Sequence, residues 1–295
     1  MGLAKPILHM PTPAAAPNTI QQGLAWAQTL GFDRLDAQVL MLHALGRPTA
    51  DRAWLLAHNT DPLPSGAWPD FETLCQRRQG GEPVAYLVGQ REFYGLTLQV
   101  NAHVLDPRPD TETLVDWALD VLQDRDQPVV LDLGTGSGAI ALALQHARRD
   151  AALTAIDASP EALAVAQANA TRLGLPVRCL LSHWLHDWKD PPQSVDLVVS
   201  NPPYIAEGDP HLAQLQHEPA MALTSGPDGL RDIRTIVQQA LPALKPGGWL
   251  LLEHGFDQAD AVAALLAQAG YMHVRHKQDL AGHRRCTGAQ KPAHL

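Results

Sequence analysis

From residue 128 onward, short apolar runs alternate with segments of helical length, and that alternation narrows the folds open to the chain. The runs cover residues 129–133, 153–156, 177–181, 195–199, 249–252 and 271–276. Between and around them lie helical patterns at 140–147, 160–173, 233–244 and 257–269. Strands apolar on both faces belong to sheets covered by helices on both sides. The alternation therefore predicts a doubly wound, mostly parallel sheet. Such sheets bind ligands beyond the carboxyl ends of their strands, at the point where strand order reverses. The loops that follow the strands are where chemistry is expected.

Two such loops stand out. The first strand runs into Leu131-Asp132-Leu133-Gly134-Thr135-Gly136-Ser137-Gly138-Ala139. Its glycines permit unusual φ and close backbone approach to a ligand, and the helix that follows opens with unpaired N–H groups. Asp157 ends the next strand, where a carboxylate commonly takes ribose hydroxyls. A nucleoside-bearing cofactor is indicated. The loop formally satisfies the relaxed dinucleotide fingerprint through Gly134, Gly136 and Ala139. Gly134, Gly136 and Gly138 at alternate positions have instead the spacing of S-adenosylmethionine-dependent methyltransferases.

The second loop is Ser200-Asn201-Pro202-Pro203-Tyr204, after the apolar run 195–199. Each proline fixes φ and removes a backbone donor, so the corner is stiff and leaves carbonyls free to accept. Asn201 adds a side-chain acceptor and a donor. Tyr204 adds a flat apolar face with a polar tip. Together they are suited to hold a planar NH2 group, with two acceptors for its two hydrogens and a ring against its π system.

The rest of the chain is organised around this half. Residues 1–88 read as a small helical bundle, with Thr19 capping a first helix and Gly31 stopping it. Residues 89–106 alternate around Gly95 as a β-hairpin would and form a linker. Residues 107–295 hold the sheet. Asp110 or Thr111 is the expected N-cap of an apolar helix over 114–122. The chain has 22 basic and 31 acidic side chains, a net −9. Residues 89–295 carry 16 of the bases against 24 of the acids, which disfavours a broad nucleic-acid-binding face. Three scattered cysteines, Cys75, Cys179 and Cys286, fit a reducing compartment. No metal centre is expected, because Cys179, His183 and His186 match no usual zinc spacing. No apolar run is long enough for a signal peptide or a membrane span. The expectation is a soluble, cytoplasmic monomer with a frayed first stretch.

Further stretches sharpen the picture. Arg91-Glu92-Phe93-Tyr94-Gly95-Leu96, Pro107-Arg108-Pro109-Asp110-Thr111-Glu112, Asn201-Pro202-Pro203-Tyr204-Ile205, Glu218-Pro219, Ala222-Leu223, Gly229-Leu230 and Lys277-x-Asp279-Leu280-Ala281-Gly282-x-x-Arg285 occur in that order. Over about residues 20 to 288 the chain thereby resembles the release factor glutamine methyltransferases, the PrmC/HemK family. The resemblance implies a class I S-adenosylmethionine-dependent methyltransferase fold, Rossmann-like with a mostly parallel seven-stranded sheet. It implies S-adenosyl-L-methionine as cofactor and methylation of the amide nitrogen of the glutamine in the Gly-Gly-Gln motif of class 1 peptide chain release factors. Carried over by position, Gly134, Thr135, Gly136, Ser137, Gly138, Asp157, Trp184 and Asn201 would meet the cofactor. Asn201, Pro202, Pro203 and Tyr204 would meet the target amide, with Asn201, Pro202 and Tyr204 taking part in catalysis.

The ribosomal-protein glutamine methyltransferases share Asn-Pro-Pro-Tyr but usually lack the Thr-Glu that stands here as Thr111-Glu112. A nucleobase amino-methyltransferase is the other methyl-transfer alternative; the acidic catalytic half speaks against it. A nucleotide-binding dehydrogenase or a non-catalytic binding module would leave Asn201-Pro202-Pro203-Tyr204 unexplained. Three departures from the family pattern bear on local contacts: His183 for an acidic residue, His254 for the usual Ile between Glu253 and Gly255, and Asp106 for an aliphatic residue.

Overall fold

The structure is a computed structural model that describes residues 16–293. The expectation for the first stretch therefore lies, for residues 1–15, outside the described residues. The chain divides into two compact units, one ending at Gly89 and one beginning at Gln90.

The first unit contains α1 (Ile20–Thr29), α2 (Arg34–Ala44), α3 (Arg52–Ala57), α4 (Ala67–Gln79) and α5 (Val84–Val88). Thr19 caps α1 by accepting from the Gln22 N–H, and Asp33 caps α2 in the same way from Asp36. The apolar stripes of these helices meet in a core that includes Ile20, Leu40, Met41, Leu42, Leu55 and Phe71.

The second unit opens with a hairpin of β1 (Gln90–Phe93) and β2 (Leu96–Gln99). Tyr94 and Gly95 both have positive φ, 51° and 74°, the conformation that matches a two-residue turn to strand twist. Next come α6 (Glu112–Leu122), β3 (Val129–Leu133), α7 (Ala139–Ala147), β4 (Ala152–Asp157), α8 (Pro160–Leu173), β5 (Arg178–Leu181) and β6 (Val195–Ser200). The unit ends with α9 (Arg231–Ala243), β7 (Leu244–Glu253), α10 (Ala259–Gln268), β8 (Met272–Gln278) and β9 (Arg284–Gln290).

The seven strands β3–β9 form one sheet in the order β5-β4-β3-β6-β7-β9-β8. The first five are parallel, and β9 runs antiparallel to both of its neighbours. This is the mostly parallel, seven-stranded sheet that the resemblance implied. The continuous apolar runs have a direct cause: each face of the sheet carries its own core. Val130, Leu197, Val199 and Leu251 pack with α6 and α7 residues on one face. Leu131, Leu133, Val198, Leu250 and Leu252 pack with α9 and α10 residues on the other. Asp196 interrupts β6 at its amino end. There its carboxylate meets Arg125 at 2.7 Å, Lys245 at 2.6 Å and the Val129 N–H at 2.9 Å.

Two elements differ from the sequence expectation. β9 is absent from the predicted alternation because Arg284-Arg285-Cys286-Thr287-Gly288-Ala289-Gln290 has no apolar run; the strand is made by its neighbours on either side. Thr111 occupies the N-cap position of α6, yet its backbone is helical and its side chain makes no capping bond.

Candidate active site

The strand order reverses between β3 and β6, which pair with Leu133 opposite Ser200. The glycine loop and the proline corner are therefore the next residues on two adjacent strands. The Ser200 hydroxyl fastens them by donating to the Leu133 carbonyl at 2.6 Å. Beyond these strand ends lies a cavity of about 330 Å³.

The glycine loop is held from beneath. The Gly134 and Thr135 N–H groups donate to the Ile156 carbonyl at 2.8 and 3.0 Å. Asp132, fully buried, accepts from the Thr135 hydroxyl at 2.6 Å and from the Ala141 N–H at 3.1 Å. Burial pushes its carboxyl up to about 7, since a charge deprived of water is disfavoured. Gly134 has φ +69°, and a Cβ there would lie 3.3 Å from the Trp184 ring. A bare backbone is thus what lets the indole close over the loop.

Asp157, at the end of β4, spends part of its carboxylate on the loop. It accepts from the Gly136 N–H and the Ser159 N–H, each at 2.9 Å. Its carboxyl lies above the ordinary value, chiefly through burial. Trp184 is buried at the cavity wall and directs its ring N–H to Asp232 at 3.3 Å. Asp232 is fixed in turn by the Ser225 hydroxyl at 2.7 Å.

At the proline corner, the Asn201 Nδ2 donates to the Thr111 Oγ1 at 3.2 Å. This is where the unused capping side chain of Thr111 goes. The Tyr204 carbonyl accepts from the Gln258 side chain at 3.0 Å, and the following residue pairs with 223–225 through Ile205. Burial first, and the charge of Glu253 second, push the Tyr204 phenol up to about 12. Arg108 reaches the cavity from the other side, gripped by Glu218 at 2.5 Å.

Of the residues singled out in the sequence, Gly134, Thr135, Gly136, Ser137, Asp157, Trp184, Asn201 and Pro203 line this one cavity. Gly138, Pro202 and Tyr204 stand outside its lining. Gly138 instead precedes α7 with φ +85°, and Pro202 is buried. Of the three departures, His183 lines the cavity, its ring 5.7 Å from that of Trp184. His254 is buried away from it, between the Gly255 carbonyl at 2.8 Å and the Thr287 hydroxyl at 2.6 Å. Asp106 sits beside Arg91 at 3.5 Å and Arg108 at 3.7 Å. Sequence reasoning missed Asp232 as a support of Trp184 and Thr111 as a partner of Asn201. Among the described residues, no group of three or more His, Cys, Asp or Glu could hold a metal ion.

The residues present fit an adenosyl cofactor. They offer a glycine cradle with open backbone, an indole above it, and a carboxylate at the adjacent strand end with lone pairs left over.

Comparison with known proteins follows the same division of the chain. The Methyltransferase small domain family matches residues 111–269, and the PrmC N-terminal domain family matches residues 22–89. A release factor glutamine methyltransferase of Bordetella pertussis is 50% identical over 260 residues, covering 88% of this chain and 95% of that one. One of Xylella fastidiosa is 44% identical over 290 residues, covering 96% and 99%. Among solved structures, the 16S rRNA N2 G1207 methyltransferase of T. thermophilus, in complex with AdoMet and guanosine, superposes with a TM-score of 0.52. It is 19% identical and covers 68% of this chain and 49% of that one, a likeness of fold.

Proposed function

The chain belongs to the release factor glutamine methyltransferases, and from that premise we propose that it methylates the glutamine side-chain amide nitrogen in the Gly-Gly-Gln motif of class 1 release factors. The observation that carries this is the junction of the two corners. Gly134 and Asn201 follow paired residues of β3 and β6 and open on one cavity.

S-adenosyl-L-methionine, the cofactor of this chemistry, supplies a methyl group activated on a positively charged sulfur. Gly134, Thr135, Gly136, Ser137, Asp157 and Trp184 would hold it, with Asp157 toward the ribose and Trp184 beside the adenine. The protein's task is set by the other reactant. An amide nitrogen is a weak nucleophile because its lone pair is delocalised into the carbonyl. Asn201 Oδ1 and the Pro202 carbonyl accept the two hydrogens of the target carboxamide. Those bonds strengthen as positive charge grows on nitrogen, so they favour the transition state over the ground state. Tyr204, outside the cavity lining but at the same corner, would pack against the amide plane as a neutral phenol once the substrate is bound. The new N–C bond replaces the C–S bond of the sulfonium, which would leave as a neutral thioether; no strong base is required, since the cationic N-methylated amide is acidic enough to give its proton to water.

The first unit docks the protein substrate, a role supported by the family match to residues 22–89. Its removal would then raise KM for the release factor far more than for the cofactor; equal effects would refute the role. The enzyme would work in the cytoplasm, in keeping with three free cysteines, and as a monomer. Among the described residues no helix is long and apolar enough to cross a membrane. The test of function is mass spectrometry of a release factor after incubation with the enzyme and S-adenosyl-L-methionine. One added methyl on the glutamine is expected. Transfer to RNA or DNA instead, or no transfer, would overturn the proposal.

A further inference from the structure

A buried carboxylate stands behind the cavity wall, and the reaction just described does not use it. β6 and β7 pair with Ser200 opposite Leu252, so Asn201 and Glu253 are the next residues on adjacent parallel strands. Glu253 is 1% exposed and lies outside the cavity lining, whereas Asn201 and Thr111 are both in it. The Glu253 Oε2 has no hydrogen-bond partner. Arg285, the cation that bears on this carboxyl, is shared with Asp279 at 3.3 Å and Asp110 at 3.8 Å. A buried carboxylate so poorly compensated weakens the fold, so a structural reason for it is hard to supply.

A functional reason follows from Asn201. A carboxamide turned through 180° keeps its shape but exchanges acceptor for donor. With Nδ2 toward the cavity, Asn201 would present hydrogens to an NH2 group and repel it. With Oδ1 toward the cavity it accepts. An ionised carboxylate can only accept, so a carboxylate behind Asn201 attracts Nδ2 and leaves Oδ1 facing outward. The Thr111 hydroxyl accepts from the same Nδ2 at 3.2 Å. Burial raises the Glu253 carboxyl to about 7; the side chains of Thr111 and Asn201 act against that rise and favour its charged form.

We propose that Glu253 and Thr111 are positioning residues that lock the Asn201 amide with its nitrogen inward and its oxygen toward the substrate. The proposal deepens the glutamine-methylation reading and rests on it. Glu253→Gln keeps the shape but adds a donor that can hold Asn201 the wrong way round. Thr111→Val keeps the shape and removes the hydroxyl.

The experiment measures kcat and KM for the release factor, cofactor affinity by calorimetry, and Tm, for wild type, Glu253→Gln, Thr111→Val and Thr111→Ser. Both disruptive variants are expected to lose at least tenfold in kcat with cofactor Kd within about twofold. Tm of Glu253→Gln, measured at pH 8 where the carboxyl is ionised, should be unchanged or raised, because a buried and poorly compensated charge is gone. Thr111→Ser should recover kcat to within about threefold. A kcat within threefold of wild type in either disruptive variant would overturn the lock. So would a loss that tracks lower Tm and weaker cofactor binding in both, the mark of a merely structural role. If the wild type itself added no methyl to the glutamine, the reading beneath would fall and the lock with it; wild-type transfer with unimpaired variants overturns the lock alone.

Discussion

Gly229→Ala gives the sharpest test of how the proline corner is supported. Gly229 has φ +72°, and a Cβ built there lies 2.2 Å from the Tyr204 carbonyl oxygen, 2.8 Å from the Gln258 Nε2 and 3.0 Å from the Tyr204 carbonyl carbon. The Gln258 side chain can swing aside, but the Tyr204 carbonyl is backbone. Relieving the contact requires that backbone to move by roughly 1 Å, and a displacement of that size at a reacting centre can cost about 100-fold in rate. That corresponds to about 2.7 kcal/mol in activation free energy. The positive φ adds a separate stability cost of about 1–2 kcal/mol for a residue with a Cβ, which lowers Tm by about 2–8 °C in a unit of this size. Gly208→Ala is the matched control, because Gly208 has φ +85° with nothing within 4 Å of the added carbon. Initial rates of labelled-methyl transfer, beside calorimetric cofactor titration, read the two apart. Gly229→Ala should lose about 100-fold in kcat while cofactor Kd stays within about threefold. Gly208→Ala should lose Tm but not turnover. A folded Gly229→Ala enzyme with turnover within threefold of wild type would refute the claim that Gly229 sets the position of the corner.

Other expectations concern affinity, turnover and pH. Asn201→Ala should abolish most turnover while cofactor affinity stays within about tenfold, a change of about 1.4 kcal/mol; near-normal initial rates would remove its role. Asp157→Ala should instead act on cofactor affinity, because its carboxylate also holds the Gly136 N–H at 2.9 Å; unchanged binding by calorimetry would count against the ribose assignment. Burial lowers His254 from 6.5 to about 4. A depressed histidine contributes stability above its unfolded value and loses it as pH falls through the folded one. As pH falls from 6.5 to 4, wild type should therefore lose about 3 kcal/mol of stability relative to His254→Ile. Asp132 and Glu253, both raised to about 7, act in the opposite sense, lost as pH rises, and cancel in that comparison. Parallel slopes of the two denaturation profiles would contradict the His254 argument.

The sheet and its two corners were legible because each is written in consecutive residues. A strand buried on both faces is a continuous apolar run, and a glycine bend or a double proline has its conformation in its own covalent structure. What escaped is what strand pairing assembles. Glu253 becomes a neighbour of Asn201 only through the register of β6 and β7. Its one local signal is an acid that ends a run of four apolar residues, Trp249 to Leu252. Thr111 carried a misleading signal, because a threonine before an apolar helix reads as a cap. The hydroxyl serves Asn201 instead, 90 positions away. Asp232 likewise reads as an ordinary acid in the first turn of α9 until Trp184 is seen to reach it.

The placement of β9 has a consequence for how the edge of the sheet is held. It lies between β7 and β8, although both precede it in the chain. Among the described residues β8 pairs with no other strand, so it belongs to the sheet only as the outer half of a hairpin with β9. The hairpin lies tight against its neighbours: Gly288 passes so close to Leu251 and Trp117 that any side chain there would strike them. A substitution at Gly288 would therefore loosen both strands of the hairpin at once, since β8 is joined to the sheet through β9 alone.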